Sequence, residues 1–145
     1  MRRLDHSMIF MLIAGTYTPV CLVALPRVWA VPMLWAVWGL ALLGIASKVW
    51  GTDVVMRVSN GLYLVIGWLA VFALPVLLRT ISPAALTFLI LGGCLYTVGA
   101  IIFYLRRPDP DPAVFGYHEI WHAFTVLAGI SHFAMVAIVV HSPAI

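Results

Sequence analysis

Charge is scarce in this chain. Asp, Glu, Lys and Arg together make up 9% of 145 residues, and the acidic side chains number five. Against this stand 64% hydrophobic residues and a mean hydropathy of +1.10, more apolar surface than a water-soluble core of this length could enclose. Cysteine is nearly absent: Cys21 and Cys94 are the two thiols, both within apolar runs, which excludes a disulfide framework and leaves them as small packing residues. Short alternating segments are also lacking, so a membrane β-barrel is excluded. The net charge of +3 comes without a basic-aromatic surface, and no nucleic-acid partner is expected. Nothing marks a second domain, an internal repeat or a low-complexity stretch, so residues 1–145 are expected to form one domain.

What the chain has instead is long uncharged runs. They cover about Ser7 to Leu25, Val31 to Ser47, Gly61 to Leu78, Ala84 to Leu105 and Trp121 to Val140, each near the ~20 residues that a spanning helix needs. The expected architecture is therefore all-α: an integral membrane bundle of five transmembrane helices. Basic residues collect on the cytoplasmic side of membrane proteins. A five-helix layout puts Arg2, Arg3, Lys48, Arg57, Arg106 and Arg107 on one side and Arg27 and Arg79 on the other. The N-terminus is thus expected in the cytoplasm, with Asp5, His6, His118, Glu119 and His122 at the same end of the bundle. A cleavable signal peptide is rejected for the first run, which is longer than a usual h-region and is followed directly by further spans.

The connections are short. Val28 to Pro32 and Arg79 to Pro83 are expected as outer turns, and Arg106 to Pro112 as an extended, proline-stiffened inner loop that cannot continue a helix. Asp53 reads as a solvated loop carboxylate. Trp29, Trp35 and Trp50 read as interfacial anchors, and Gly92, Gly93 and Gly99 as points where the fourth helix approaches a neighbour.

His118-Glu119-Ile120-Trp121-His122 carries the chemistry. Histidines four apart rise along one helical face, so both imidazoles can reach one metal ion. The same spacing also suits two interfacial histidines bonded to backbone carbonyls. Asp5, opening the first helix at the same depth, suits either a site carboxylate or a helix cap. His132 lies 14 residues beyond His118, ~21 Å along the axis, too far to share an ion. It is expected to pack or line a cavity, with Ser131 bonding back to its own helix. His141 reads as interfacial.

The segment Arg3-Leu4-Asp5-His6-Ser7 through Gly15-Thr16-Tyr17-Thr18-Pro19 resembles the third-helix signature of the hemolysin III proteins, the bacterial branch of the progestin and adipoQ receptor family. The His118 to Phe124 segment, with Ser131-His132-Phe133, resembles that family's last helix. The resemblance implies a cell-membrane protein with an intramembrane zinc site near the cytoplasmic face. It implies His118 and His122 as zinc ligands and Asp5 as the residue that holds the zinc-bound water. It covers the last five of seven family helices. The second-helix serine-to-histidine motif, source of the third zinc ligand, has no counterpart here. A late start codon, a natural remnant or a substitute ligand would each account for this, and His6 is the nearest substitute by sequence.

Three functions follow from these residues. A zinc hydrolase would act on a lipid amide or ester, with membrane lipid as partner and Asp5 as the catalytic carboxylate. A receptor, hemolysin or membrane-homeostasis protein would use the metal structurally. His118 to His122 also fits the H-E-x-x-H pattern of metalloproteases, with Glu119 as base. The sequence leaves the oligomeric state open.

Overall fold

The computed structural model describes residues 2–50, 61–62, 64–111 and 114–141, with side chains from Met8 onward apart from residues 48–50. Its architecture is all-α. Among the described residues the named helices follow in order: α1 (Arg2–Ala24), α2 (Arg27–Trp50), α3 (Ala70–Thr80), α4 (Pro83–Leu105) and α5 (Tyr117–His141). Among the described residues the β structure is limited to an isolated bridge between Asp111 and Phe115. Arg27–Ser47, Pro83–Leu105 and Tyr117–His141 are long and apolar enough to cross a bilayer, and Met8–Ala24 and Leu64–Thr80 are shorter apolar helices. The helices group into two compact units, residues 1–82 with 139–145 and residues 83–138.

In the first unit α1 and α2 form an antiparallel pair around a two-residue turn. The Pro26 carbonyl starts α2 by accepting from the N–H groups of Trp29 (2.8 Å) and Ala30 (2.9 Å). The turn therefore falls at Leu25–Pro26, and the expected turn at Val28 to Pro32 is corrected: Pro32 lies inside α2. Proline is tolerated within membrane helices because neighbouring groups take up the freed carbonyl. Phe10 is fully buried and its ring fills the space that a side chain at Gly44 would need. The Trp38 indole N–H donates to the Thr18 hydroxyl at 3.1 Å. In an apolar surround such cross-helix bonds fix the register of the pair.

Tyr17 ties α1 to the segment leading into α3. Its hydroxyl accepts from the Ala70 N–H at 2.9 Å and faces the carbonyls of Ile66 at 2.9 Å and Gly67 at 3.0 Å. In a continuous helix the Ala70 N–H would bond the Ile66 carbonyl. The tyrosine hydroxyl is inserted into that ladder, and the Leu69 and Phe72 N–H groups adopt i→i−3 bonds to Ile66 and Leu69. This local break is why Leu64–Thr80 divides near Leu69. Asp53 lies outside the described residues, as does the Trp50 side chain.

In the second unit α4 presents Ala85, Gly92 and Gly99 as its buried residues, a spacing of seven that keeps small side chains on one stripe. A Cβ at Gly92 would collide with the His132 ring, and one at Gly99 would come within 3.0 Å of the Phe124 Cβ. A Cβ at Gly93 would meet nothing, so two of the three expected glycine approaches are made. Cys21 is buried, but Cys94 is exposed, which corrects its assignment as a packing residue: it lies off the Ala85–Gly92–Gly99 stripe. Large apolar side chains such as Ile90, Ile130 and Phe133 are exposed on the outer faces, as expected where the solvent is lipid rather than water.

Candidate metal centre

The site begins where α4 stops. Arg106 takes a positive φ of 53°, and the Arg107 N–H reaches back to the Ile102 carbonyl at 3.4 Å, the long-range bond of a Schellman C-cap. The expected extended loop is in fact folded back. Asp111 and Phe115 exchange backbone bonds of 2.8 and 3.3 Å, and the chain turns straight into α5. Two carboxylates satisfy free N–H groups at the start of that helix. Asp109 Oδ1 accepts from Tyr117 N at 3.1 Å, and Glu119 Oε2 accepts from Gly116 N at 2.9 Å. The Glu119 contact is half of a capping box, in which the third helical residue reaches back to the N-cap N–H. Sequence reasoning missed both roles. Glu119 carried the capping-box spacing as its signal, whereas Asp109 acts across eight residues and carried none.

Capping fixes the first turn of α5, and that turn sets the two histidines. Both side chains are exposed, and their Nε2 atoms face each other at 3.1 Å, with ring centroids 4.7 Å apart and planes at 79°. Each ring has the other as its hydrogen-bond partner, one nitrogen donating and one accepting. Two imidazoles on a tetrahedral zinc, with Zn–N near 2.0–2.1 Å, would hold their nitrogens about 3.3 Å apart. The pair therefore fits two corners of such a site with little movement. Aromatic rings flank it: Phe103 is 5.9 Å from His118 and 4.8 Å from Trp121 by ring centroids, and Trp121 is 4.6 Å from His122.

No cluster of three His, Cys, Asp or Glu side chains occurs among the described residues. Asp5 and His6 belong to α1, and their side chains lie outside the described residues. His132 stands apart, with its Nε2 buried and without a hydrogen-bond partner and its ring 5.6 Å from that of Tyr96.

Helices too apolar for water, joined by tight turns and packed through small residues and buried hydroxyls, define a multipass helical membrane protein. The family model described as "Haemolysin-III related" matches residues 1–133, and the chain belongs to that family. It is 43% identical over 126 residues to the "Hemolysin-3 homolog" of Bacillus subtilis (strain 168), covering 87% of this chain and 56% of that protein. It is 38% identical over 128 residues to "Hemolysin-3" of Bacillus cereus, covering 87% and 54%. The chain thus spans about half the length of the curated relatives it matches. No solved structure matches it.

Proposed function

We propose that the chain is a zinc-binding membrane protein of the cell membrane whose site hydrolyses a lipid amide or ester. The observation that carries this reading is the 3.1 Å approach of the His118 and His122 Nε2 atoms. The two imidazoles would hold the ion, and Asp5 would orient the attacking water and take its proton as general base. Bound zinc would supply Lewis acidity, bringing water near a pKa of ~7. Phe103 and Trp121 give His118 an apolar flank, with ring centroids 5.9 and 5.6 Å away. Glu119 is engaged with the Gly116 N–H, which favours a capping role over that of a metalloprotease base.

A second reading follows from the relatives' printed name, hemolysin: a membrane-disturbing or homeostasis protein in which the metal is structural. Asp5→Asn separates the two. The amide keeps the carboxylate's shape but little of its basicity, so zinc content should hold while turnover of a lipid amide or ester falls by about 10²–10⁴. Retained turnover in Asp5→Asn, or none in the wild-type protein over a broad lipid panel, would leave the structural-metal reading in its place.

A further inference from the structure

A second site lies in the first unit, on residues that the histidine pair does not use. At the turn joining α1 to α2, a cleft of ≈ 640 Å³ opens between Val23, Leu25 and Pro26 on one side and Pro75, Val76 and Arg79 on the other. Its volume is in the range of small-ligand sites. The walls are mostly apolar, with Thr80 as a polar neighbour, and Arg79, in the last turn of α3, supplies the charge. The cleft is at the helix ends, since α1 stops at Ala24, α2 starts at Arg27 and α3 stops at Thr80. In a membrane protein, helix ends lie at headgroup depth.

Charge decides the occupant. Arg79 is exposed, and Arg27 follows Pro26 directly, so two guanidinium groups belong to this turn region. None of the chain's five acidic side chains is close in sequence. Asp5 precedes Ala24 by 19 helical residues, about 28 Å along α1. Asp53 follows the whole of α2, and Asp109, Asp111 and Glu119 follow the whole of α4, which begins at Pro83. An interfacial arginine beside an apolar cleft, remote along the chain from any Asp or Glu, calls for an anion with an apolar body. The match is a phosphate carried on acyl chains, with the guanidinium gripping the phosphate oxygens in its fork geometry.

We infer that this cleft binds an anionic glycerophospholipid, its phosphate on Arg79 and an acyl chain along Val23, Leu25, Pro75 and Val76. The site is separate from the histidine pair and does not depend on zinc.

Native mass spectrometry of the full chain, presented with equal amounts of dioleoyl phosphatidylglycerol and dioleoyl phosphatidylcholine, tests it. The wild-type protein should retain phosphatidylglycerol in preference, and Arg79→Gln should cut that preference about fivefold, the effect of one basic group at an anionic interface. Val76→Trp, which fills the cleft without changing charge, should cut it as well, and circular dichroism checks that both variants keep their helix content. Unchanged preference in either folded variant would overturn the site. An equal loss in Arg27→Gln would also overturn it, by showing a general surface-charge effect. So would displacement of the lipid by millimolar inorganic phosphate, because the apolar walls would then contribute nothing.

Discussion

Helix α5 holds three of its histidines in two settings. His118 and His122 are exposed at its start, paired through Nε2 atoms 3.1 Å apart. His132 is three turns further on, where its ring occupies the space a side chain at Gly92 would need and its Nε2 is enclosed without a partner. The residue type is the same, but the room around the donor nitrogen differs. An ion could enter between the paired rings, whereas the His132 nitrogen is walled in by the backbone of α4. A histidine in a membrane helix thus has to be judged by what its nitrogens face.

The largest expected effect breaks the comparison at the pair. Elemental analysis of purified protein should find zinc in the wild type, background levels in His118→Ala and His122→Ala, and wild-type levels in His132→Leu. Losing one of two protein donors leaves a single imidazole, too few for a retained zinc ion. Equal zinc in all four proteins would remove the pair from the site, and loss in His132→Leu would erase the distinction between the two settings.

Next in size is the glycine that makes His132 a packing residue. Gly92→Ala places a Cβ where the His132 ring lies, and overpacking of this kind costs about 1–3 kcal/mol. Thermal unfolding in detergent should fall accordingly, while zinc content stays unchanged because His118 lies ~21 Å away along α5. Gly93→Ala is the matched control, with open space around its Cβ, and should be close to neutral. If both glycines tolerate alanine equally, the notch is not what holds the two helices together.

How far the sequence anticipated these settings depends on how local each signal is. Helix existence came from hydropathy alone, and Pro83 closes an expected turn and opens α4, whereas the start of α2 after Pro26 was missed. The i, i+4 spacing of His118 and His122 placed both rings on one face, because a helix leaves little freedom there. Gly92 and Gly99 were legible as close approaches, but their partners His132 and Phe124 are set by how two helices register. Tyr17 was visible within the Gly15 to Pro19 motif, yet its bond to Ala70 spans 53 residues and no local pattern encodes it. Pro32 misled because a proline breaks a helix more readily in water than in lipid.

A smaller effect is expected at Glu119, and it sharpens the boundary between site and scaffold. The carboxylate satisfies the Gly116 N–H, so Glu119→Ala should cost about 1 kcal/mol of stability, the usual size of a lost cap. Zinc should be retained, and any hydrolysis should persist at a comparable rate. Complete loss of activity with zinc intact would instead give Glu119 the role of base that the H-E-x-x-H pattern assigns.

The smallest expected effect belongs to His132 itself. Replacing its ring by leucine removes a buried Nε2 that has no hydrogen-bond partner, relief worth about 1–3 kcal/mol, but it also gives up the ring's interaction with the Leu89 backbone. The same change gives up the contact with the Tyr96 ring, centroids 5.6 Å apart at 46°, worth about 0.5–1.5 kcal/mol. The gain and the two losses oppose each other, so the unfolding temperature of His132→Leu should stay close to that of the wild type. His132→Asn, which keeps a polar group in the enclosed position but fills less of the notch, should be the less stable of the two. A sharp loss of stability in His132→Leu, recovered in His132→Asn, would mean that the buried nitrogen has a polar partner when the protein is in its bilayer, and that a ring fitted against a glycine can still carry polar function.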